Sequence, residues 1–200
     1  PEIEKMYRNR MEKIISNSDE FEQLIGRYDA PQGKISFIES VAEFLSNKFG
    51  WKIGPENVGI TNGSQSAFFY LFNLFSGTFS NSNKKKTIVL PLVPEYIGYA
   101  DQGLEAGTFV GIPATFTMSN NHTFKYNVDF EKLENYLEKH DNVGALCVSR
   151  PTNPTGNVLT NEEISRLSIL AKKYDIPLMV DNAYGLPWPD IIFDDNAIPY

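Results

Sequence analysis

The sequence contains only one cysteine, Cys147, and only two histidines. A single thiol cannot form an internal disulfide, and it cannot build a cysteine cluster around a metal ion. A chain without a disulfide framework is typical of a reducing compartment. We therefore expect a cytoplasmic protein with no metal site.

Basic residues are outnumbered by acidic ones. The chain has 18 lysines and arginines against 25 aspartates and glutamates, which gives a net charge of −7. Affinity for nucleic acid rests largely on cationic contacts with the phosphates. An acidic chain of this kind is therefore not expected to bind nucleic acid.

Long apolar stretches are absent as well. Fully apolar runs extend over only a few residues, as at Ile88–Leu90, whereas a transmembrane helix needs about 20. The first residues, PEIEKMYRNR, are charged and helix-like, which does not fit a signal peptide. We expect no membrane association. Because the chain begins with proline instead of methionine, we also expect it to be part of a longer protein.

The remaining composition is that of an ordinary globular protein. Hydrophobic residues make up 42% and charged residues 22% of the 200 residues, which suits one domain, or most of one, with a sizeable core. The hydrophobic period switches repeatedly between helix-like and strand-like. Strands are predicted at 58–61, 87–92, 108–112, 143–148 and 177–180.

Helical periodicity separates these strands. Apolar residues share a helical face at 3–14, 38–49, 64–75, 130–137 and 164–174, with Asp129 as a cap and a capping box formed by Thr160 and Glu163. Residues 16–22 are only a polar stretch, 94–105 a loop or helix, 113–126 a hairpin insertion and 186–200 an irregular tail. Strands that alternate with helices predict an α/β fold with a mainly parallel sheet and helices on both faces.

Ligands of an open parallel sheet bind beyond the carboxyl ends of its strands. Four groups of residues follow predicted strands and are expected on one rim: Asn62–Gln65, Pro94–Tyr96, Ser149–Gly156 and Asp181–Tyr184. Together they offer a phosphate cradle, an aromatic plane, amide and phenol donors, and one carboxylate.

Each group also has a simpler interpretation. Ser64 and Gln65 begin a helix whose free amides would suit a phosphate, but Ser64 could equally be an ordinary helix cap. Asp181 ends an apolar strand, where a carboxylate is costly without a partner, yet it could simply cap the next loop. Tyr96 could be a core aromatic, and the NPTG segment after Pro151 a plain turn.

Taken together, the groups are more specific than any one of them. The segments YDAPQG, TNGSQ, PEYIGY, RPTNPTG and DNAY resemble, in order and interval, the fold-type-I pyridoxal-phosphate enzymes of the aspartate aminotransferase superfamily. The resemblance covers nearly the whole chain. The wording SRPTNPTGNVLTNEE and VDNAYGLPWPDIIF is similar to that of the valine–pyruvate aminotransferases, a subfamily that exchanges amino groups between an aliphatic amino acid and a 2-oxo acid.

The resemblance implies roles for individual residues around pyridoxal 5'-phosphate. Asp181 would face the pyridine nitrogen, and Tyr184 and Asn153 would bind the phenolic oxygen of the ring. Tyr96 would stack on the ring face. The amides of Ser64 and Gln65 would hold the phosphate.

Two further expectations concern the whole protein. Tyr28 matches a family tyrosine that reaches the phosphate of the neighbouring subunit, which implies a homodimer. The family's Schiff-base lysine follows a later strand, and no lysine here fits it: Lys172 and Lys173 lie in a predicted helix. Residues 1–200 are therefore expected to form an incomplete cofactor-binding large domain that is inactive alone, with the lysine and the small domain elsewhere.

Other interpretations remain open at this point. Carbon–sulfur lyases, cyclopropane-forming synthases and aminotransferase-like regulatory domains share these motifs. A non-enzymatic α/β module that binds a nucleotide is disfavoured, because neither G-x-G-x-x-G nor G-x-x-x-x-G-K-[ST] occurs. His122 and His140 are expected to be solvated and Cys147 an inert core thiol, while Arg150 lies at the rim without an assigned role.

Overall fold

The computed structural model describes residues 1–80, 83–119, 122–185, 192 and 196–199. The chain divides into two compact units, residues 1–61 and residues 62–200. No helix in the described part of the chain is both long enough and apolar enough to cross a membrane. Most of the predicted irregular tail, at 186–191, 193–195 and 200, lies outside the described residues.

The regular elements follow the alternation seen in the sequence. The α-helices are α1 Glu2–Ser16, α2 Ser18–Gly26, α3 Ile35–Phe49, α4 Ser64–Phe75, α5 Phe130–Lys139 and α6 Asn161–Lys173. The strands are β1 Thr87–Val93, β2 Phe109–Pro113, β3 Thr115–Ser119, β4 Thr123–Asn127, β5 Val143–Ser149 and β6 Leu178–Asp181. Two short 3-10 helices cover Pro55–Asn57 and Ile97–Tyr99, so most of 94–105 is loop.

Helix α2 belongs to the first unit and lies where the sequence indicated only a polar stretch. The side chain of Asn17 accepts hydrogen bonds from the amides of Asp19 and Glu20, at 3.0 and 3.2 Å. Such a cap satisfies donors that the first turn of a helix leaves open. The sequence description of 16–22 as a polar stretch did not include this helix, which begins at the Asn17 cap.

The strand predicted at Val58–Thr61, in the same unit, does not form. The amide of Val58 donates to the carbonyl of Pro55, and that of Ile60 donates to the carbonyl of Gln32 at 2.8 Å. The first bond closes a turn and the second joins distant loop residues, and neither belongs to a strand ladder. The prediction was wrong because β-branched composition favours a strand only where a second strand can pair with it.

The second unit contains a four-stranded sheet in the order β2-β1-β5-β6, with every neighbouring pair parallel. The last pair is in register from Leu146 beside Leu178 to Ser149 beside Asp181. The strands end together, so the residues after them share one edge of the sheet. The predicted mainly parallel sheet is confirmed.

Helices cover both faces of this sheet, as predicted. One face packs Ile88, Ala145 and Cys147 against Phe72 of α4. The alternate residues of the same strands, such as Val89 and Leu146, pack on the other face, in the cluster that also contains residues of α5 and α6. The period-2 alternation of strand side chains produces this division. Cys147 is fully buried, as expected for a core thiol.

The predicted hairpin and caps are also present. Strands β3 and β4 pair antiparallel from Thr115 beside Asn127 to Ser119 beside Thr123. The Asp129 side chain caps α5 by accepting from the amide of Lys132. Helix α6 begins with the capping box of Thr160 and Glu163.

A close approach within the second unit gives the first testable prediction. A Cβ added to Gly144 would lie 1.7 Å from the carbonyl oxygen of Phe75, a backbone atom that cannot swing aside. Gly144→Ala should therefore destabilise the protein by about 3 kcal/mol or more, as expected for overpacking against a fixed neighbour. Urea unfolding measures the effect.

The control is Gly59→Ala, because a Cβ at Gly59 meets nothing within 4 Å. That variant should be within about 1 kcal/mol of the parent. A Gly144→Ala protein of parental stability would show that β5 does not pack this closely against the end of α4.

Candidate functional site

A cleft open to solvent lies beyond the carboxyl ends of β1, β5 and β6. All four sequence groups expected on the rim contribute to it. The lining residues are Ser64, Gln65, Tyr96, Ser149, Pro151, Asn153, Asp181, Ala183 and Tyr184.

The structure brings six of the seven predicted site residues together here: Ser64, Gln65, Tyr96, Asn153, Asp181 and Tyr184. The seventh, Tyr28, belongs to the other unit, where its side chain is fully exposed. The role of each residue in ligand binding remains a prediction.

Helix α4 begins at the cleft, and its N-cap residue is a glycine. Gly63 is its N-cap residue and has φ of 87° and ψ of 161°, a conformation that residues with a Cβ rarely adopt. As a glycine, it provides no side-chain cap. The alternative interpretation of Ser64 as the cap is therefore wrong: Ser64 is the first helical residue. Its turn presents amides and the positive end of the helix dipole to the cleft.

Asp181 is buried at the end of β6, with only 9% of its surface exposed. One carboxylate oxygen, Oδ2, accepts a hydrogen bond from the Tyr99 hydroxyl at 2.7 Å. The other, Oδ1, accepts from the amide of Ala183 at 2.9 Å. Asp181 thus does cap the following loop, and it also lines the cleft. No described lysine, arginine or histidine forms an ion pair with it, so its charge is balanced by dipoles alone.

Two tyrosines follow β1 and have different positions at the cleft. Tyr96 lines the cleft with its side chain half-buried. Its ring meets that of Tyr99 edge to face, with centroids 5.4 Å apart and planes at 88°. Tyr99 is buried and donates to Asp181. The sequence did not single out Tyr99, although a buried carboxylate requires a donor and Tyr99 lies three residues after Tyr96.

Turns position the remaining predicted residues. The amide of Gly156 donates to the carbonyl of Thr152 at 2.7 Å, and the amide of Thr152 donates to that of Asn157. This closed turn holds Asn153 at the cleft. Tyr184 also lines the cleft and keeps 45% of its surface exposed.

Glu95 belongs to the predicted rim, although the sequence indicated no role for it. It occupies an unusual environment. The amide of Ser149 donates to Oε2 of Glu95 at 3.0 Å, and the Ser149 hydroxyl donates to Oε1. The amide of Tyr96 also donates to Oε1, at 3.1 Å. Burial raises the pKa of Glu95 from 4.5 to about 7, against the effect of these hydrogen bonds, and the nearby charge of Asp181 raises it further.

The same negative surroundings act on two neighbours. Burial, followed by the charges of Glu95 and Asp181, raises the pKa of Cys147 well above its usual value. Burial also raises the pKa of Tyr99 far above 10, with further contributions from Cys147 and from its bond to Asp181. Both groups therefore stay neutral near pH 7, and Cys147 is an unreactive thiol, since the thiolate is the reactive form.

Comparison with known proteins decides the family. The family model described as "Aminotransferase class I and II" matches residues 9–187. The chain belongs to this aminotransferase family.

Similar proteins include enzymes named for one substrate pair. The chain is 46% identical over 195 residues to the valine–pyruvate aminotransferase of Escherichia coli, covering 98% of this chain and 45% of that protein. A solved valine–pyruvate aminotransferase from Salmonella typhimurium is 42% identical with a TM-score of 0.79, and covers 100% of this chain and 48% of its own. A putative amino-acid aminotransferase from Psychrobacter arcticum is 48% identical with a TM-score of 0.81, over 88% and 42% of the two chains. The chain thus spans just under half the length of these relatives.

Three residues considered in the sequence do not line the cleft. Arg150 is 3% exposed, and its guanidinium donates to the carbonyl of Leu159 and to the side chain of Asn161, at 2.8 and 2.9 Å. It therefore joins loop segments and does not line the cleft. His140 stacks on the Tyr136 ring at 4.0 Å, and His122 lies in the turn before β4.

The cleft can bind and orient a ligand, but it offers few groups that move protons at neutral pH. Within the described residues, no lysine, histidine or cysteine lines it. The described part of the chain also contains no group of three or more metal-ligating side chains. Its chemistry is that of hydrogen-bond donors, one carboxylate and an aromatic face.

The raised pKa of Glu95 predicts a pH effect on stability. The folded protein holds this proton more tightly than the unfolded chain. The resulting stability is therefore fully present below about pH 4.5 and is lost as the pH rises through about 7. The loss is on the order of 3 kcal/mol, at 1.36 kcal/mol per pKa unit. Glu95→Gln should lack it, so the variant gains stability relative to the cofactor-free parent between pH 5 and pH 8.

Chemical unfolding at pH 5, 6.5 and 8 measures this difference. The control is Glu105→Gln, because the Glu105 carboxylate also accepts from an amide and a hydroxyl, those of Thr78. Unlike Glu95, it is half-exposed and pairs with Lys85 at 3.4 Å, and the hydrogen bonds from Thr78 together with Lys85 lower its pKa. Its removal should produce no gain as the pH rises. A constant difference between Glu95→Gln and the parent at all three pH values would contradict the prediction.

Proposed function

We propose that the whole protein is a pyridoxal-phosphate-dependent aminotransferase that exchanges an amino group between valine, or a related aliphatic amino acid, and pyruvate. The observation that carries the proposal is the cleft, in which Asp181, Tyr184, Asn153, Tyr96 and the start of α4 converge. The family match and the names of relatives 46% and 42% identical to this chain support it.

The residues of the cleft suit the parts of pyridoxal phosphate. The first turn of α4 offers amides to a phosphate, and Tyr96 offers a flat face to an aromatic ring. Asn153 and Tyr184 offer an amide and a phenol to an oxygen of that ring. Asp181 offers a buried carboxylate to a protonated ring nitrogen. This set matches a ligand that is anionic at one end and cationic at the other.

Asp181 carries the central electrostatic task. A carboxylate in a buried site favours the charged form of a cation beside it. The bonds from Tyr99 and Ala183 fix the orientation of that carboxylate. When bound, pyridoxal phosphate supplies an electron sink for the carbanion of the amino-acid substrate. Asp181 keeps the ring nitrogen protonated, which makes the ring a stronger sink.

The other residues bind and orient. Tyr96 fixes the ring plane from one face, and its own orientation is set by the edge-to-face contact with Tyr99. Asn153 and Tyr184 hold the ring tilt by hydrogen bonds. We propose that a lysine from outside residues 1–200 provides the amine that the described cleft lacks. We also propose that residues 1–200 are part of the cofactor-binding large domain.

Two statements about the whole protein complete the proposal. We expect a homodimer in which Tyr28 reaches the phosphate site of the neighbouring subunit, and the full exposure of Tyr28 in this chain supports it. We expect a cytoplasmic enzyme, and the single buried cysteine supports that.

The first test of this function changes Asp181. Asp181→Asn in the whole protein keeps the size of the side chain but removes the charge that pairs with the ring nitrogen. The rate of substrate deprotonation should fall about a thousandfold or more, equivalent to about 4 kcal/mol. Single-turnover absorbance measurements with valine report it. Asp141→Asn, at an exposed aspartate near Lys84, should have no effect. A near-normal rate in Asp181→Asn would show that Asp181 has only a structural role.

The second test concerns the substrate. Valine and pyruvate carry small uncharged side chains, and sites distinguish such groups by only about 1–3 kcal/mol per methylene. Related aliphatic amino acids should therefore react as well. Aspartate and glutamate should be poor, because an unpaired carboxylate is far more costly to bury, and no described cation lines the cleft.

The measurement is kcat/KM for a panel of amino donors with pyruvate, using the whole protein. Aspartate or glutamate ahead of valine would refute the substrate pair, while the cofactor assignment would stand. Elimination of a β- or γ-substituent without amino transfer would point to lyase chemistry on the same fold. Absence of any bound pyridoxal phosphate would refute the proposed function as a whole.

A further inference from the structure

Glu95 connects two segments that both contribute to the cleft, although it does not itself line it. Its carboxylate accepts from the amide and hydroxyl of Ser149 at the end of β5, and from the amide of Tyr96 in the loop after β1. Ser149 and Tyr96 both line the cleft. One carboxylate thus joins two walls of the site by three hydrogen bonds.

Glu95 is also electrostatically close to Asp181. Its partner Ser149 lies directly beside Asp181 in the parallel pairing of β5 and β6, and such strands are about 4.8 Å apart. The charge of Asp181 disfavours ionisation of Glu95. Among the described residues no lysine, arginine or histidine forms an ion pair with Glu95. Two carboxylates therefore share a site that contains no described counter-ion.

We propose that Glu95 is a positioning residue of the cofactor cleft, which ties Ser149 to Tyr96 and, when ionised, adds a second negative charge that favours a cationic ring nitrogen at Asp181. This inference rests on the proposed function, because it needs a ligand with such a nitrogen. It assigns a task to a residue that lies outside the ring of ligand-contacting side chains.

The physical consequence is a linkage between binding and one proton. A cation at Asp181 relieves the repulsion between the two carboxylates, so ligand binding lowers the pKa of Glu95 from about 7. A group whose pKa falls on binding strengthens binding above its free pKa and weakens it below. Affinity should therefore rise with pH through the neutral range.

Other titrating groups near Glu95 do not produce this effect. Tyr99 and Cys147 are coupled to it, but both have raised pKa values and stay neutral below pH 8.5. Ser149 does not titrate in this range. Asp181 is the remaining charged group that acts on Glu95.

The test measures binding of pyridoxamine 5'-phosphate to the cofactor-free whole protein, by fluorescence titration from pH 5.5 to pH 8.5. This probe has the ring and phosphate but no aldehyde, so it reports non-covalent contacts only. The quantity compared is the ratio of parental to Glu95→Gln affinity at each pH, in which the titrations of the probe itself cancel. The ratio should rise about fivefold or more across the range, given a tenfold effect per pKa unit.

The control is again Glu105→Gln, whose carboxylate makes the same kind of double contact, with Thr78, and does not line the cleft. Its ratio to the parent should be constant with pH. Ser149→Ala provides a second, independent readout. The Ser149 hydroxyl lowers the pKa of Glu95, so its removal should move the midpoint of the pH dependence upward.

The outcomes distinguish a failure of the role of Glu95 from a failure of the proposed aminotransferase function. A flat ratio for Glu95→Gln, or an unmoved midpoint in Ser149→Ala, would overturn the role of Glu95 while leaving the cofactor assignment intact. If the parent does not bind pyridoxamine phosphate at any pH, the proposed function fails and this inference with it. Should Glu95→Gln not fold, the midpoint shift in Ser149→Ala decides the question.

Discussion

The parallel pairing of β1, β5 and β6 is the constraint on which the site depends. It sets Ser149 beside Asp181 and makes the strands end at one edge. Parallel strands require long crossovers, and here α5 and α6 belong to the chain between the strands and cover one face, while α4 covers the other. As a result, residues that are more than 80 positions apart, such as Tyr99 and Asp181, come within hydrogen-bonding distance.

The electrostatics of the cleft follow from that convergence. Buried carboxylates are costly, and a protein usually pairs them with cations. Asp181 and Glu95 instead receive hydroxyl and amide hydrogen bonds, and the described residues pair neither with a cation. Such an arrangement is unfavourable for the empty fold and favourable for a positively charged ligand. The raised pKa of Glu95 expresses this unfavourable environment directly. Perturbed ionisation of this kind clusters at functional sites.

The sequence predicted correctly those features that depend on a local pattern alone. Hydrophobic periodicity, together with capping and turn residues, was enough to predict the four sheet strands, the hairpin, the caps at Asp129 and Thr160, and the position of the rim. It failed where local composition competes with context. The segment 58–61 is β-branched but has no strand to pair with, and α2 begins at the Asn17 cap within a stretch that looks polar in the sequence. Serine is a residue type favoured at helix N-caps, but Gly63, with its positive φ, is the N-cap residue, and Ser64 follows it.

The sequence by itself determined the α/β class, the cleft residues Ser64, Gln65, Tyr96, Asn153, Asp181 and Tyr184, and the resemblance to aminotransferases. These depend on residue types at strand ends, which are visible in a linear chain. Only the tertiary structure decided which groups satisfy and perturb one another. Tyr99 donates to Asp181, and Glu95 joins Ser149 to Tyr96, because the sheet register and the loop after β1 bring them together. Hydrogen bonding and desolvation act between neighbours in space, and sequence spacing does not encode those neighbours.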